Sequence, residues 1–560
     1  MKVRREQSMA VPMSILKTAS QLLFSFYRAA RKIRNFFFHH RNPSRLNQHQ
    51  LPSISSCRLE GRKNFSLLFN FHNSLLRTKS LFSFFMLVAF EGGGLFKAIL
   101  LLLAYPIILL LGPNSESALR VMVFVTFCGL KCSDMNIVAR AVLPKIYTEE
   151  IDRRTYEVAV AAGKRGVLTS LPKVMVERFV EECFGETQVF GPELEVVGGK
   201  YFTGRFAAGG TVAERMWAVK DRFGEEKADV GLLRLSDLND QLLIPCSKEV
   251  YVVTKEEPNS INSTRTSATA AAATADPSIT NLPREKYPKF PIFHDGRLAF
   301  LPTPSTSLCL VLYLPFAFLL SLLRILTGLL LPYSLSPLLG AALGVHFRMI
   351  QHRPLSSSSP SPSGVLYVCT HRTLLDPIFL SHALFRPIPV VTYSLSRFSE
   401  SISPIPTVRL TRNRLRDSHT MRRLLAAGDL AVCPEGTTCR EPYLLRFSPL
   451  FAELADDIEP VAIEAGCSMF YGTTATGMKS LDPIFFFLNP RPSYRISFLG
   501  RVPKEMTLAG GWSAADVANR IQRELAEELG FQCTALTRRD KYLLLAGSDG
   551  AVPDSSPEKS

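Results

Sequence analysis

Residues 364–376 read GVLYVCTHRTLLD, and this stretch decides the fold of the C-terminal half of the chain. Its first part is a run of apolar residues after a Ser/Pro-rich segment, which is typical of a buried strand. The strand stops at His371, and Asp376 follows five residues later. A histidine on the turn after a strand lies at the edge of a sheet, where open α/β folds bind their ligands. The stretch therefore predicts an α/β unit with a functional histidine.

The spacing of His371 and Asp376 allows the carboxylate to curl back to the imidazole. A carboxylate that accepts a hydrogen bond from one ring nitrogen leaves the other nitrogen as a proton acceptor, as in a catalytic triad. Such a pair also occurs by chance in chains of this length, and an ordinary surface turn is the alternative interpretation. The segments that follow decide between the two.

The next segment, residues 403–414, reads SPIPTVRLTRNR. It places Arg409, Arg412 and Arg414 beside a short apolar run. Guanidinium groups in such a position can hold a phosphate through paired hydrogen bonds. The segment therefore predicts an anion site near the histidine.

A second buried strand follows in residues 429–440, DLAVCPEGTTCR, and a third in residues 458–463, IEPVAI. Gly and Thr at a junction between strand and loop give a ligand close access to backbone amides and hydroxyls. The candidate substrate-binding residues are Arg409, Arg412, Glu435, Gly436, Thr437 and Arg440.

In this order and spacing, the four segments resemble the blocks of the glycerolipid acyltransferase family. Those blocks centre on an HxxxxD motif, an Arg-bearing segment, an FPEGT-like segment and a Pro-containing segment. The version here is most similar to the plant glycerol-3-phosphate acyltransferases of the lipid-polyester type. The resemblance covers roughly residues 81–533 and is sharpest over 364–470.

The resemblance implies transfer of an acyl group from acyl-CoA to a hydroxyl of glycerol 3-phosphate. The product would be lysophosphatidate for glycerolipid or cutin/suberin-type synthesis. His371 would act as general base and Asp376 as its partner, with no cofactor or metal because acyl-CoA is a substrate. In the third block, Thr438 stands where a basic residue often follows PEGT, so Arg412 and Arg440 compete for the role of phosphate ligand.

The region before the acyltransferase blocks resembles a haloacid-dehalogenase-type phosphatase domain. Its first strand would normally end in Asp-x-Asp-Gly-Thr. Aligned on LVAFEGGGLF, the chain has Ala89, Glu91 and Gly93 at the three functional positions. The remaining candidates are a hydroxyl of Thr169 or Ser170, Lys220 as phosphate clamp, and a reduced acidic cluster of Asp237 and Asp240. An alanine cannot form an aspartyl-phosphate, so we expect this domain to be inactive.

The charge is distributed unevenly along the chain. The 560 residues carry a net charge of +16, of which residues 1–80 carry +13 through fifteen Lys/Arg against Glu6 and Glu60. This excess belongs to an N-terminal segment, which argues against a nucleic-acid partner. The segment is predicted to be a basic amphipathic helix on a membrane surface, a mitochondrial presequence or a disordered arm. Eleven scattered cysteines favour a reducing compartment.

Two apolar segments indicate an integral membrane protein of the endoplasmic reticulum or of mitochondria. Leu81–Leu111 fits a buried, interfacial or spanning helix, since its uninterrupted part is short. Leu308–Val345 has Arg324 as its one charge and predicts a hairpin whose helices are broken by prolines. Membrane lipid is therefore an expected partner, and the sequence identifies no protein partner.

The fold class that follows is α/β: a degenerate haloacid-dehalogenase-like domain, membrane segments, and an α/β acyltransferase domain. Two other functions stay open, a lysophosphatidate acyltransferase and a catalytically silent membrane scaffold. The predicted boundaries are a basic segment at 1–80, the phosphatase-like domain at 81–255, a linker at 256–300, a membrane hairpin at 301–346, the acyltransferase domain at 347–533 and a disordered tail at 534–560.

Overall fold

The computed structural model describes residues 51–58, 64–78, 80–113, 115–207, 221, 227–234, 243–253, 282–283, 287, 292–352, 364–393, 397–411 and 413–548. These residues form two compact units. The first unit holds the described residues up to His294, together with Leu301–Leu308. The second holds Asp295–Phe300 and the residues from Cys309 onward.

The first unit is built on a five-stranded parallel sheet of order β3-β2-β1-β6-β7. A separate antiparallel pair, β4 and β5, lies outside this sheet. The sheet strands are apolar and mostly buried, as expected when helices cover both faces of a parallel sheet. The strands are β1 (Ser66–Asn70), β2 (Lys164–Leu168), β3 (Gln188–Phe190), β4 (Leu194–Val197), β5 (Tyr201–Phe206), β6 (Ala228–Leu233) and β7 (Ser247–Val252).

The helices of this unit lie mainly between β1 and β3 in the chain. A π-helical turn, Phe71–Leu75, follows β1 directly, and Asn70 caps it with its side chain. The α-helices are α1 (Leu81–Leu111), α2 (Glu116–Phe127), α3 (Cys132–Ala141), α4 (Leu143–Glu150), α5 (Arg153–Ala161) and α6 (Lys173–Phe184).

The central strand of this sheet, β1, lies ahead of residue 81, where the sequence placed the start of the domain. That boundary is corrected, because Ser66–Asn70 pairs with β2 on one side and β6 on the other. The alignment of a phosphatase motif on Ala89 is also wrong. Ala89 and Glu91 lie inside helix α1, so they do not follow a strand. Val167 and Val250 lie on strands β2 and β7 of the same sheet.

Helix α1 has two halves with different surroundings. It is kinked at Gly94, whose φ of +76° lies in the left-handed region that glycine tolerates. Residues 81–89 before the kink are buried in the unit. Beyond it the helix exposes large apolar side chains, among them Phe96, Leu103 and Ile107. An exposed apolar face of this kind marks a surface for a membrane or another partner.

The second unit contains a seven-stranded sheet of order β11-β10-β12-β9-β14-β15-β8. β15 runs antiparallel to β14 and parallel to β8; the other neighbours are parallel. A further short pair is formed by β13 and β16. The strands are β8 (His346–Gln351), β9 (Leu366–Cys369), β10 (Val390–Thr392), β11 (Thr407–Arg409), β12 (Leu430–Val432), β13 (Tyr443–Leu444), β14 (Ile458–Gly466), β15 (Ser493–Phe498) and β16 (Gln532–Cys533).

Helices cover this sheet, and buried apolar clusters lie against it, one containing Leu366 and Val368 and the other Tyr367 and Cys369. Alternate residues of β9 thus point to opposite faces, as strand geometry requires. The helices are α7 (Pro304–Leu330), α8 (Ser336–Ala342), α9 (Asp376–Ala383), α10 (Arg397–Ser401), α11 (Arg414–Ala427), α12 (Asp482–Phe487), α13 (Ala514–Leu529) and α14 (Arg538–Ala546).

Two sequence-based boundaries of the second unit are also corrected. The tail predicted to be disordered from residue 534 contains helix α14. A capping box fixes its start, because the side chains of Thr537 and Asp540 each accept a hydrogen bond from the other's backbone. The predicted linker to residue 300 includes Asp295 and Arg297, which form buried ion pairs with residues of the acyltransferase domain.

The predicted hairpin at 301–346 is one long helix, α7, and a short one, α8. Pro315 lies inside α7 and does not break it. Among the described residues, α1 and α7 are the helices long and apolar enough to cross a membrane. Arg324, the one charged residue of α7, is buried, and it donates hydrogen bonds to the carbonyls of Leu343, Phe487 and Asn489. One face of α7 is therefore fixed to the folded domain, whereas Phe316 and Leu330 on other faces are more than 70% exposed.

Candidate active site

The site lies where β9 and β12, neighbours in the middle of the sheet, reach their carboxyl ends. His371 follows β9, and Glu435 follows β12. Parallel strands bring their carboxyl ends to one edge, so residues far apart in the sequence meet there. This edge opens into a cavity of about 700 Å³, lined by His371, Glu435, Gly436 and Thr437 among others.

The side chains of His371 and Asp376 are hydrogen-bonded. The distance from His371 Nδ1 to Asp376 Oδ2 is 3.0 Å. Asp376 is fully buried as the first residue of α9, and Pro377 helps start this helix. Because the carboxylate accepts, Nδ1 carries the proton and Nε2 remains as a proton acceptor. The imidazole is 16% exposed and lines the cavity, so it is accessible to a substrate.

Asp376 accepts hydrogen bonds from several donors in addition to the imidazole of His371. Its Oδ2 also accepts from the backbone amides of Arg372 and Thr373. Its Oδ1 accepts from the hydroxyl of Tyr494 at 3.1 Å, and the Tyr494 ring stacks on Phe379. Tyr494 lies on β15, outside the four sequence blocks, and no sequence pattern marks it. These contacts fix the carboxylate in a single orientation toward the imidazole.

Glu435 positions the histidine loop. Its Oε1 accepts from the backbone amide of His371 at 2.9 Å, and its Oε2 accepts from the amide of Leu445 at 3.1 Å. Burial raises the pKa of this carboxyl, while the two backbone hydrogen bonds oppose the shift. The sequence placed Glu435 among the substrate-binding residues. Both of its oxygens are engaged by the protein.

The turn after Glu435 brings small groups to the cavity. Gly436 has a φ of +68°, a conformation that a residue with a Cβ rarely adopts, so glycine is required there. Thr437 and Thr438 follow and also line the cavity. The hydroxyl of Thr438 is hydrogen-bonded to that of Thr473 at 2.6 Å. The predicted access to Gly436 and Thr437 is therefore present.

The predicted arginines have different surroundings. Arg409 forms an ion pair with Glu400 at 2.9 Å, and it is not among the residues that line the cavity. The Arg440 side chain is buried against Asp295 and stacks on Tyr471. Neither guanidinium faces the cavity. Arg412 lies outside the described residues.

The loop of His371 is further clamped by Arg372, which the sequence did not single out. Its guanidinium donates to the carbonyls of Arg440 and Glu441 and lies over the ring of Phe531. The backbone carbonyl of His371 accepts from the amide of Cys439 at 2.7 Å. The first and third blocks are thus joined in one rigid unit, which keeps the imidazole in place.

Cys369 and Cys433 lie close to the histidine. Cys369 is 2% exposed on β9, and burial raises the pKa of its thiol, with Asp376 adding to the effect. Burial also raises the pKa of the Cys433 thiol well above its ordinary value. A thiol is nucleophilic only as the thiolate. Both thiols are therefore poor nucleophiles beside the His–Asp pair.

The other part of the cavity wall is apolar. Ile325, Val345, Phe347, Leu375 and Ile378 line it and belong to one buried cluster that includes residues of α7 and α9. Apolar walls with a few polar groups are the usual composition of a site for a lipid-like ligand. The cavity thus joins an apolar region to the imidazole.

The first unit has a second candidate site at the end of its central strand. Asn70 ends β1, and His72 and Ser74 follow it; these are the positions where the phosphatase pattern has Asp, Asp and Thr. Asn70 Oδ1 accepts from the amides of His72 at 3.1 Å and Asn73 at 3.2 Å. Thr169, one of the predicted hydroxyls, lies next to β2 and caps the amide of Leu171. Lys220, Asp237 and Asp240 lie outside the described residues.

Carboxylates suited to a metal ion are not grouped in the part of the chain that the structure describes. No group of three or more His, Cys, Asp or Glu residues with metal-binding geometry occurs there. A Mg²⁺ site needs several oxygen ligands, and carboxylates usually provide them. The amide side chain of Asn70 is uncharged, so it does not replace a carboxylate ligand of Mg²⁺.

The fold and the His–Asp site define an acyltransferase of the HxxxxD class. A family model described as "Acyltransferase" matches residues 354–467, and one described as "Glycerol-3-phosphate acyltransferase RAM2-like, HAD-like domain" matches residues 66–253. The second match begins at β1, in agreement with the corrected boundary.

Similar curated proteins that match most of the chain come from plants. The chain is 50% identical to glycerol-3-phosphate acyltransferase 1 of Arabidopsis thaliana over 84% of this chain and 78% of that protein. It is 45% identical to glycerol-3-phosphate acyltransferase RAM2 of Petunia hybrida over 86% of this chain and 96% of that protein. The chain belongs to the plant glycerol-3-phosphate acyltransferase family.

A solved structure found by fold comparison is the 1-acyl-sn-glycerophosphate acyltransferase PlsC from Thermotoga maritima. It is 12% identical and has a TM-score of 0.26, and the match covers 39% of this chain and 95% of that one.

Proposed function

We propose that the protein transfers an acyl group from acyl-CoA to a hydroxyl of glycerol 3-phosphate and releases lysophosphatidate and CoA. The observation that carries this proposal is the hydrogen bond between His371 and Asp376 at the wall of a cavity that is partly apolar. The apolar region suits an acyl chain, and the imidazole suits a hydroxyl acceptor.

The reaction follows from the orientation of the imidazole. Nε2 of His371 accepts the proton of the acceptor hydroxyl as its oxygen attacks the thioester carbonyl. Asp376, hydrogen-bonded to Nδ1, stabilises the imidazolium that forms. The tetrahedral intermediate then expels the CoA thiolate, which takes the proton from His371. Transfer is direct, because the thiols of Cys369 and Cys433 are protonated and supply no nucleophile for an acyl-enzyme.

The proposal is tested with purified protein in detergent, given acyl-CoA and either glycerol 3-phosphate or lysophosphatidate. We expect CoA release and lysophosphatidate with the first acceptor, and much slower release with the second. A preference for lysophosphatidate would identify the alternative acyltransferase. Failure with both acceptors would favour a membrane scaffold without catalysis.

We further propose that the phosphatase-like unit is catalytically silent. An amide cannot be the nucleophile of an aspartyl-phosphate, and Asn70 stands at that position. Its side chain also occupies the amides of His72 and Asn73, which follow the strand where a phosphate would need donors. Two separate requirements of the reaction are absent at this strand end.

Lysophosphatidate should therefore accumulate without release of inorganic phosphate, with or without added Mg²⁺. The Asn70→Asp variant should behave in the same way, because His72 still replaces the second acid. Phosphate is measured by a colorimetric assay on protein free of contaminating phosphatase. Release in proportion to acyl transfer by the unmodified protein would show that the unit is active.

Membrane attachment is proposed to rest on α1 and α7, at the endoplasmic reticulum or in mitochondria. Both helices expose large apolar side chains, such as Leu103 on α1 and Phe316 on α7. Each apolar side chain that leaves water contributes about 1.5–3 kcal/mol, so the exposed apolar side chains of the two helices together provide attachment that does not depend on the basic segment.

A protein lacking residues 1–50 should accordingly stay in the membrane fraction after extraction with alkaline carbonate. The deletion spares β1, whereas removal of all of residues 1–80 would also remove the central strand of the sheet. Recovery of the truncated protein in the supernatant would show that the basic segment, and not the apolar helices, provides attachment.

A further inference from the structure

Lys479 and Arg538 line the cavity of His371 and come from outside the four sequence blocks. Three arginines line it as well: Arg324, which donates to backbone carbonyls, Arg414, which is paired with Glu453, and Arg446. Lys479 begins a 3₁₀ turn, and Arg538 is the first residue of helix α14. Both line the cavity together with His371 and Thr437. The sequence indicated neither of them: Arg538 lies in the predicted disordered tail, and Lys479 belongs to none of the four blocks.

Tyr542 brings these two cations together. Lys479 Nζ donates to the Tyr542 hydroxyl at 2.5 Å, and the Arg538 guanidinium lies 5.4 Å from the centre of the same ring. Burial raises the pKa of the Tyr542 phenol, but the charge and hydrogen bond of Lys479 outweigh it, and the pKa is lowered on balance. The surroundings of the hydroxyl thus favour negative charge.

Helix α14 is fixed to the loop that follows Glu435. The buried Lys541 donates from Nζ to the carbonyl of Thr438. Thr437 and Tyr542 both line the cavity beside this contact. Lys479 and Arg538 are therefore held beside the loop where related third blocks often carry a basic residue and this chain has Thr438.

The nearby acidic groups leave this cluster positive. Asp482 lines the same cavity, but it forms an ion pair with Arg297 at 2.7 Å, and burial raises its pKa to about 6. Asp540 is occupied in capping α14 through Thr537. Neither of these two carboxylates neutralises both Lys479 and Arg538.

We propose that Lys479 and Arg538, with the hydroxyls of Thr437 and Tyr542, form the subsite for the phosphate of the acceptor. This rests on the proposed function. Cations and hydroxyl donors together match a phosphomonoester, which has several acceptor oxygens and about two negative charges. The four residues line the same cavity as His371, so one bound acceptor molecule can present its phosphate to them and a hydroxyl to the imidazole.

The phosphates of acyl-CoA would suit the same cations as the phosphate of glycerol 3-phosphate. Separate KM values for the two substrates show which phosphate binds there. In Lys479→Ala and Arg538→Ala, the KM for glycerol 3-phosphate should rise about tenfold to a hundredfold, since a charged hydrogen bond to the ligand is lost. The KM for acyl-CoA should stay within about twofold, because binding of the donor does not involve this group. Inorganic phosphate, used as a competitive inhibitor, should lose potency in parallel.

Two control variants are used: one removes a different cation from the same helix, and the other keeps the positive charge at position 479. Arg539→Ala removes an exposed cation from the same helix and should change neither constant. Lys479→Arg keeps the charge and should retain most of the affinity for glycerol 3-phosphate. Melting temperatures of all variants show whether α14 remains docked.

Three results would overturn the proposal: a rise in the KM for acyl-CoA alone, an equal effect of Lys479→Arg and Lys479→Ala, or an unchanged KM in both alanine variants. The first would assign the cluster to the CoA phosphates, which acyl-pantetheine as donor would verify. These outcomes differ from a failure of the proposed function, in which the unmodified protein would not acylate glycerol 3-phosphate at all.

Discussion

Replacement of His371 by alanine should lower kcat for acyl transfer by about 10²- to 10⁴-fold, the usual contribution of a general base. The imidazole is the one group with a free acceptor nitrogen next to the Asp376 carboxylate in the described site. Without it, the acceptor hydroxyl must lose its proton to water. The loss should appear at saturating glycerol 3-phosphate and acyl-CoA, because binding groups elsewhere in the cavity remain.

The matched control is His419→Ala, which removes an exposed histidine of α11 that does not line the cavity. It should leave kcat unchanged. Protein yield, membrane retention and melting temperature should agree among the variants, since Asp376 keeps its hydrogen bonds from the amides of Arg372 and Thr373 and from the Tyr494 hydroxyl. Near-normal turnover of His371→Ala would refute the assignment of the general base.

Asp376→Asn should lower kcat by about 10²- to 10⁴-fold, because it removes the negative charge that stabilises the imidazolium. Asparagine has nearly the same size, and its oxygen can accept from the amides of Arg372 and Thr373. Its amino group can face the Tyr494 hydroxyl, which can also accept a hydrogen bond. The KM values should change less than kcat.

The comparison variant is Tyr494→Phe, which removes one neutral donor from Asp376 and leaves the charge. It should lower kcat by less than about tenfold, since a single neutral hydrogen bond contributes about 0.5–1.5 kcal/mol. If Tyr494→Phe were as damaging as Asp376→Asn, orientation and not charge would be the main contribution of the carboxylate. Steady-state kinetics on both variants, together with thermal melting, distinguishes the two effects.

The sequence predicted the second unit well because its signals are local. GVLYVCTH combines an apolar strand and the histidine in one segment, and β9 ends two residues before His371 as expected. The pairing with Asp376 spans five residues, so a turn is enough to form it. The contacts of Tyr494 and Glu435 come from neighbouring strands, and only the sheet order brings them to the same edge.

The arginines show where spacing gives too little information. Arg440 follows the PEGT segment closely, but its partner Asp295 is far away in the sequence, in a segment that was predicted to be a linker. The side chain therefore turns from the cavity into a buried ion pair. Lys479 and Arg538, which do line the cavity, follow no pattern in their own segments.

The first unit was misaligned for a related reason. The strand SLLFN is short and lies within the basic segment of residues 1–80, whereas LVAF before EGGG has the composition expected of a strand. The helix of Leu81–Leu111 includes LVAF because its buried half packs on all sides, and burial outweighs the strand preference of Val and Phe. The conclusion that the phosphatase unit is silent depends on Asn70, not on Ala89.

The protonated thiols beside His371 have a consequence for reagents and for oxidative stress. Alkylation and oxidation both begin from a thiolate, so Cys369 should resist iodoacetamide and peroxide. Cys128 and Cys533 are exposed instead, one in each unit, and neither lines the cavity. Cys128 should be modified before Cys369, whereas burial raises the pKa of the Cys533 thiol and should slow its reaction. The protein can therefore be labelled at Cys128, away from the cavity, while acyl transfer continues.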